Sequence, residues 1–453
     1  MEKVKRKTYS IVAIAFCLIC ILFSIYYKIN LDNEKKNEYN APILKNKTIV
    51  RLWLPKDKFS PTREYQVEKF NENNSKIYIM LSLYDNRDYS NMLKTSLAAE
   101  KGPDIMQYSF FELIKDNYIM DLKDLDVDKS IQYDNRVYHN DKLIGVRTFE
   151  DNVKLIWNKE IFKKSGLDPN TPPKTWEELI EYSKKIKKAC PNVVPFEFPL
   201  KEHQDFKVSI GEPSVNLDTI YTSFWNYKTL KYDFSSIKNV LKVYNQMYKE
   251  KLLDEEIENN TKKSMRIDFY QNKAAMCLAT FEDKGYFSNI MPLNFELGIS
   301  ELPNFKEDKG NKKFYISNPN FLSVNSNIKN EDKDKNEAVK LVLKWLTSEE
   351  NNTEILKTRM GIAPSIKNTN ISEDVYPKFN EVSNFKVETK DPTMFVAIDA
   401  KETIDLCIDA IKGKKSIDNV IKLLNSNYEN YCDISQKSKR IDFKLFLQEK
   451  NKE

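Results

Sequence analysis

Between Thr48 and Leu125, short apolar runs alternate with helical patterns, and this alternation restricts the fold more than any other feature of the chain. Ile49–Leu54 reads as a strand and Thr62–Phe70 as an amphipathic helix. Ile77–Leu83, with apolar residues at alternate positions, reads as a second strand, and Asn91–Ala99 as a second helix. Gly102-Pro103-Asp104-Ile105-Met106 enters a third strand, Glu112–Asn117 is helical, and Leu122–Leu125 closes the unit. Strand–helix–strand–helix–strand in this order predicts a parallel, doubly wound α/β sheet. Ligands of such sheets bind beyond the carboxyl ends of the strands, so residues at strand ends become the candidates for chemistry.

The stretch from Leu143 to Ile186 is punctuated more sharply. Val153–Trp157 is a β-favouring run, and Lys159–Ser165 a helix stopped by Gly166, a residue suited to the left-handed position after a helix. Asp168–Pro173 holds three prolines and excludes regular structure. Thr175 then caps a new helix, with Glu178 three residues on as the second member of a capping box. Farther along, Phe234–Lys249 carries Ile237, Val240, Leu241, Tyr244 and Met247 at helical spacing. Phe269–Leu278 reads as a helix end, a turn at Asn272 and a buried strand. Ala338–Leu346, Met394–Ile411 and Ile417–Tyr431 are further helices.

Composition removes several function classes. Only two histidines occur, His139 and His203, which gives little support to a histidine-based triad or a His-rich zinc site. No phosphate-binding loop, dinucleotide fingerprint or G-x-S-x-G motif is present. Beyond residue 27 the chain has 68 basic and 66 acidic residues, a balanced surface rather than a nucleic-acid footprint. Nothing calls for a cofactor or a metal. Cys190, Cys277, Cys407 and Cys432 lack metal spacing and read as buried or idle thiols, with a Cys407–Cys432 bridge left open for an oxidising compartment.

The amino terminus is basic over residues 1–10 and apolar over residues 11–27 save Ser24. Seventeen helical residues span about 25 Å, and Tyr26, Tyr27 and Lys28 extend the segment into an interface. The basic flank precedes the run, so the remainder is expected outside the cell membrane. No pair of small residues suits a signal-peptidase site, and Cys17 and Cys20 follow Phe16 and Ile19 rather than small residues. An uncleaved anchor is the favoured reading, with a lipoprotein signal and a cleaved signal as alternatives. Residues 28–47 are a polar linker.

Trp157-Asn158-Lys159, Phe162, Gly166-Leu167, Pro169, Thr175-Trp176, Glu178 and Leu179 together resemble Y-N-K-x-x-F-x-x-x-G-L-x-x-P-x-T-W-x-E-L of the extracellular solute-binding proteins of ABC transporters, the maltose-binding-like group, with Trp157 in place of Tyr. Phe269-Tyr270-Gln271-Asn272-Lys273-Ala274-Ala275-Met276 is similar to that family's F-x-x-G-K-x-A-M, Asn272 replacing Gly; Asn tolerates the left-handed turn best among other residues. Leu302-Pro303, Phe314–Val324, Leu346-Thr347-Ser348-Glu349-Glu350 and Gly361-Ile362-Ala363-Pro364 are similar to further family motifs in the same order. The resemblance runs from Thr48 to about Tyr431.

The resemblance implies a two-lobed periplasmic-binding-protein fold of type II, preceded by the N-terminal membrane segment. It divides the chain into residues 48–148 with 322–362 for the first lobe and 149–321 with 363–447 for the second. Crossings are expected near Arg147–Asp151 (Arg147, Phe149, Asp151), near Asn320 and near Gly361. Candidates for ligand contact are Trp53, Asp104, Tyr108, Ser109 and Glu112 in the first lobe, and Tyr221, Trp225, Thr280, Phe281, Glu282 and Phe395 in the second. Each has a structural alternative: Trp53, Tyr221 and Trp225 as core, Asp104 as a loop cap. Glu282 stands about where the family stacks a Trp on its ligand, so the second-lobe wall departs from the pattern. Trp157 and Trp176 are read as structural. The implied function is capture of a small solute, a sugar or oligosaccharide, for a membrane ABC permease, by a monomer and without catalysis. A tethered sensor on the same scaffold and an extracellular glycosidase are the competing readings.

Overall fold

The computed structural model describes residues 44, 46–57, 60–108, 113, 116–127, 136–139, 142–147, 153–202, 205–214, 224–226, 228–305, 321–348, 350–351, 376–379, 392, 396, 398–437 and 443–446. The expectations for the apolar N-terminal run, Ser109, Glu112, Phe149, Asp151, Tyr221, Asn320, Gly361 and Phe395 lie outside these residues. Among the described residues no helix is long and apolar enough to cross a membrane.

The first lobe is built from β1 (Thr48–Pro55), α1 (Ser60–Asn73), β2 (Ile77–Tyr84), α2 (Asn86–Ala98), β3 (Ile105–Tyr108), β4 (Arg136–His139) and β5 (Lys142–Arg147). The alternation in β1 decides its two faces. Val50, Leu52 and Leu54 are buried beneath α1 and a returning helix, while Trp53 points to the opposite layer with α2. β1 pairs in parallel with both β2 and β3, as the strand–helix order predicts. The whole sheet is mixed rather than parallel. The chain comes back from the second lobe as β12 (Phe321–Val324), which inserts antiparallel between β3 and β5, giving the order β2-β1-β3-β12-β5-β4. Leu122–Leu125 forms a short 3₁₀ turn capped by Asp121.

The second lobe begins at β6 (Val153–Asn158) and continues through α3 (Lys159–Lys164), α4 (Trp176–Ala189), β7 (Val194–Glu197), a small hairpin of β8 (Trp225–Asn226) and β9 (Lys231–Tyr232), α5 (Ile237–Lys249), α6 (Lys262–Tyr270), β10 (Ala274–Thr280), α7 (Phe281–Gly285) and β11 (Leu297–Ser300). After β12 come α8 (Lys333–Leu346), which packs on β1, and α9 (Ala400–Ile411) and α10 (Ile417–Lys437), which pack on α5. The four-stranded sheet runs β11-β6-β10-β7, with β6 antiparallel to both neighbours. All six residues of β6 and all seven of β10 are buried, because helices cover both faces.

Local signals read from the chain are realised with one variation. Gly166 takes φ +68° after α3, and Asn272 takes φ +60° in the turn before β10, where the family has Gly. Thr175 Oγ1 accepts from Glu178 N at 3.1 Å, but the Glu178 carboxylate reaches back to Lys174 N at 2.7 Å rather than to the cap itself. Trp157 and Trp176 are both core residues, and Trp157 Nε1 donates to the Pro169 carbonyl at 2.9 Å, tying the Pro-rich loop to the sheet. Gly298 is required there: a Cβ would lie 1.9 Å from the Trp157 ring. Burial of each such large side chain is worth about 1.5–3 kcal/mol. Cys407 and Cys432 are free thiols, so the bridge left open between them is absent. Burial pushes each up to about 12, and both stay protonated at neutral pH.

Candidate functional site

Strand direction and register place one edge of each sheet at the chain crossing. Arg147, the last residue of β5, pairs with Phe321, the first of β12. The carboxyl ends of β1, β2 and β3 lie on this same edge, since β1 is parallel to both and Phe321 pairs with Tyr108. In the second lobe Val153, which opens β6 just after the crossing, pairs with Thr280, the last residue of β10. Both crossing strands therefore leave from the edges at which α/β sheets bind ligands.

On the first-lobe edge the side chains are aromatic. The Trp53 ring is half-buried against Tyr84, with centroids 4.7 Å apart and planes tilted by 53°. Tyr84 in turn meets Tyr89 at 6.1 Å. Tyr89, in the first turn of α2, is buried; its hydroxyl donates to the Gln107 carbonyl at 2.6 Å and lies 2.9 Å from the Trp53 carbonyl. That hydroxyl fastens the ends of β1 and β3 together under the aromatic pair. Tyr84 and Tyr89 are absent from the sequence candidates. Tyr84 ends β2 as Trp53 nearly ends β1, so the strand-end rule that selected Trp53 would have selected it too.

Asp104 behaves otherwise. It stands just before β3, beside Arg51 in the middle of β1 and away from the carboxyl edge. Its carboxylate accepts from Arg51 N at 2.7 Å, Arg51 Nη2 at 3.0 Å and Lys335 Nζ at 2.6 Å, and Lys335 also donates to the Ile49 carbonyl. With both oxygens engaged and almost no exposure, this carboxylate joins β1, β3 and α8 and presents no free oxygen to a solute. Trp225 is likewise enclosed: it is fully buried, stacked on Phe443 and edge-on to Tyr232. Trp225 thus sits as its core alternative has it, and Asp104 is a buried bridge between β1 and α8 rather than a loop cap. Tyr108 and Arg147 end their strands at the crossing edge.

On the second-lobe edge the side chains are charged. Thr280 is buried, and its N–H and hydroxyl donate to Asp283 Oδ2 at 2.6 and 3.1 Å, closing the turn from β10 into α7. Asp283 Oδ1 accepts from Arg266 Nε of α6 at 2.6 Å. The guanidinium lies over the Tyr286 ring, 4.5 Å from its centroid. Burial, the largest single influence, pulls the Arg266 pKa down, but Asp283, together with Glu282 and Tyr286, holds it above the ordinary value. Glu282 is partly exposed, with Oε2 3.6 Å from Arg266 Nη2 and 3.7 Å from Lys262 Nζ. Phe281 opens α7. One residue into β6, buried Lys154 is paired with Glu301 just past β11. Thr280 and Glu282 are among the sequence candidates; Arg266 and Lys262, which reach the same edge from α6, and Tyr286, which directly follows α7, are not.

Glu197 ends β7 beside Cys277 of β10 and is 2% exposed. Neither carboxylate oxygen has a hydrogen-bond partner. Burial, with Asp268 and Asp254 adding like charge, pushes its pKa from 4.5 to about 8. Among the described residues no group of three or more His, Cys, Asp or Glu side chains is placed to hold a metal ion.

Residues 54–353 match the family described as bacterial extracellular solute-binding protein. Over 33 residues the chain is 61% identical to the sn-glycerol-3-phosphate-binding periplasmic protein UgpB of Shigella flexneri; that stretch is 7% of this chain and 8% of the relative. Two solved structures share the fold along their whole length. The sugar-binding protein MalE of Xanthomonas citri is similar with a TM-score of 0.65 at 16% identity, covering 87% of this chain and 100% of its own. The cyclic α-maltosyl-1,6-maltose binding protein of Arthrobacter globiformis gives 0.63 at 16% identity, over 85% and 99%.

Proposed function

The chain belongs to the bacterial extracellular solute-binding proteins, and from that premise we propose that it is a membrane-tethered receptor that captures a sugar or sugar-like solute between its lobes and presents it to an ABC permease. The observation that supports the reading is the pair of unlike edges flanking one chain crossing: aromatic rings on the first lobe, charged groups on the second. A sugar has apolar C–H faces and a polar rim, so it needs both. Among the proteins of similar fold, those from Xanthomonas citri and Arthrobacter globiformis bear sugar- and maltose-binding names, which agrees with this solute class.

In this reading Trp53 and Tyr84 stack on the solute, with Tyr108, Ser109 and Glu112 beside them, and Phe281, Glu282 and Phe395 complete the second wall. Thr280 and Asp104 shape the turn and the sheet behind those walls. Arg147, Phe149, Asp151, Asn320 and Gly361 form the hinge between the lobes, residues 48–148 with 322–362 against residues 149–321 with 363–447. A solute that touches both walls favours closure by its differential affinity, and moving the equilibrium from 1:99 to 99:1 takes about 5.5 kcal/mol. Stacking and a few hydrogen bonds supply energies of that order. Residues 11–27 anchor the chain with its folded part outside, residues 28–47 are the tether, and the protein acts as a monomer without breaking a bond.

The test is a thermal-shift screen of the full-length chain in detergent against mono- and oligosaccharides, polyols, amino acids and divalent metals. A saturable rise in Tm with a carbohydrate or polyol supports the reading. Responses confined to amino acids or metals would replace the solute class, and release of new reducing ends from a glycan would replace binding by catalysis.

A further inference from the structure

Arg266 holds a donor that the protein itself leaves unused. Its side chain is 8% exposed, its Nε is committed to Asp283, and its face is covered by Tyr286. Its Nη2 is buried and donates to nothing. Buried polar groups are nearly always paired, because each has given up its water, so an orphaned guanidinium N–H at a ligand-binding edge points to a group that arrives later. Glu282 Oε2 stops 3.6 Å from Arg266 Nη2, beyond hydrogen-bond distance, and lies 3.7 Å from Lys262 Nζ. Glu282 is 42% exposed, whereas Asp283 is 1% exposed and bound to Thr280 as well as to Arg266. The two acids therefore differ in kind: Asp283 is enclosed and hydrogen-bonded, whereas Glu282 stands at the surface and meets Arg266 and Lys262 only at long range.

We infer that Arg266 and Lys262 form an oxyanion subsite on the second-lobe edge, which Glu282 covers when the site is empty and yields to a carboxylate or phosphate group carried by the solute. The inference rests on the solute-binding reading above and narrows it to an anionic sugar or polyol derivative. Arg presents a planar fork that suits two oxygens, and its committed Nε leaves Nη2 to bind one of them. Lys262, with a side chain 23% exposed, supplies a second, mobile charge from one turn earlier on α6. No bond is made or broken; the solute's oxyanion replaces one carboxylate by another.

The experiment is calorimetric titration of the full-length protein in detergent with matched pairs at fixed ionic strength: glucose against glucuronate and glucose 6-phosphate, glycerol against glycerol 3-phosphate, and inorganic phosphate alone. Each anionic member is expected to bind at least about tenfold more tightly than its neutral parent, with an affinity that falls as salt rises. The carboxylate and phosphate arms distinguish the two sources of the oxyanion. Glu282→Gln removes the competing charge and is expected to tighten anionic binding about three- to tenfold. Were Glu282 instead a hydrogen-bond acceptor for a neutral sugar, the same variant would weaken binding, and that result overturns the inference. Arg266→Lys keeps the charge but loses the fork, and should weaken anionic binding about tenfold. Equal affinity for neutral and anionic members overturns the inference while the receptor reading stands; silence from every probe overturns both.

Discussion

The two edges on either side of the crossing are made of different material. On the first lobe Trp53, Tyr84 and Tyr89 form an aromatic group tied to the sheet by the buried Tyr89 hydroxyl. On the second, Arg266, Asp283, Glu282, Lys262 and Thr280 form a charged network around a helix start. Stacked rings give contact area with little directional demand, whereas ion pairs fix direction and titrate. On the proposed function, the first lobe would hold a ring of any decoration, and the second would distinguish one decoration from another.

The largest effect should come from breaking the charged edge at its centre. Arg266→Met leaves Asp283 buried, with only Thr280 to satisfy it, and breaking a buried pair in this way costs about 3–5 kcal/mol. Urea unfolding should show that loss, and Arg266→Met/Asp283→Asn should recover part of it, since no unpaired charge remains. If the single variant unfolds like the wild type, the network is not what holds this edge.

The charged lobe should also respond to pH. Below about pH 4.5 the Glu197 carboxyl is protonated in both folded and unfolded chains. Between about 4.5 and 8 the folded protein keeps a proton that the unfolded chain has lost, so this group's contribution to stability declines as pH rises and is gone above about 8. Glu197→Gln removes the titration. It should stabilise the protein at pH 8.5 by up to a few kcal/mol and change little at pH 4.5, as read from unfolding curves across that range. A constant offset at every pH would mean that the carboxyl is already ionised in the fold.

On the aromatic edge the expected effects are smaller and fall on binding. Trp53→Ala should cost about tenfold in solute affinity, near 1.4 kcal/mol, for the loss of one stacking face. It should fall alike on neutral and anionic members of a sugar pair, which separates it from the charged edge. A loss confined to the anionic member would show that Trp53 contributes by orienting charge rather than by stacking.

What the chain disclosed beforehand followed from local rules. Strand–helix alternation gave the three parallel strands of the first lobe, Gly166 and Asn272 marked left-handed turns, and Thr175 marked the start of α4. The return of β12 into the first sheet was not contained in periodicity, because the partner of a four-residue strand is decided by how the second lobe closes. The strand-end positions of Trp53 and Thr280 were legible, since both follow from strand direction. Arg266 was hidden because its partner Asp283 lies 17 residues away, beyond a buried strand, and only the packing of α6 beside β10 brings them together. For Asp104 the reverse holds: its proximity to a strand was visible, but its register opposite Arg51 in the middle of β1 was not.

The smallest effect tests whether the aromatic edge is built in advance. Tyr89→Phe keeps the ring and removes only the hydroxyl between the Gln107 and Trp53 carbonyls. A net hydrogen bond is worth about 1 kcal/mol, so the drop in stability should be near that value. The binding result is the more informative one. If the hydroxyl positions the ends of β1 and β3 under the rings, Tyr89→Phe should weaken solute binding beyond the near-zero change expected of a buried side chain that does not touch the solute, and calorimetry should show the extra cost as entropy of ordering. Unchanged affinity with the expected stability loss would mean that Trp53 and Tyr84 hold each other in place, and that the hydroxyl only fastens the sheet beneath them.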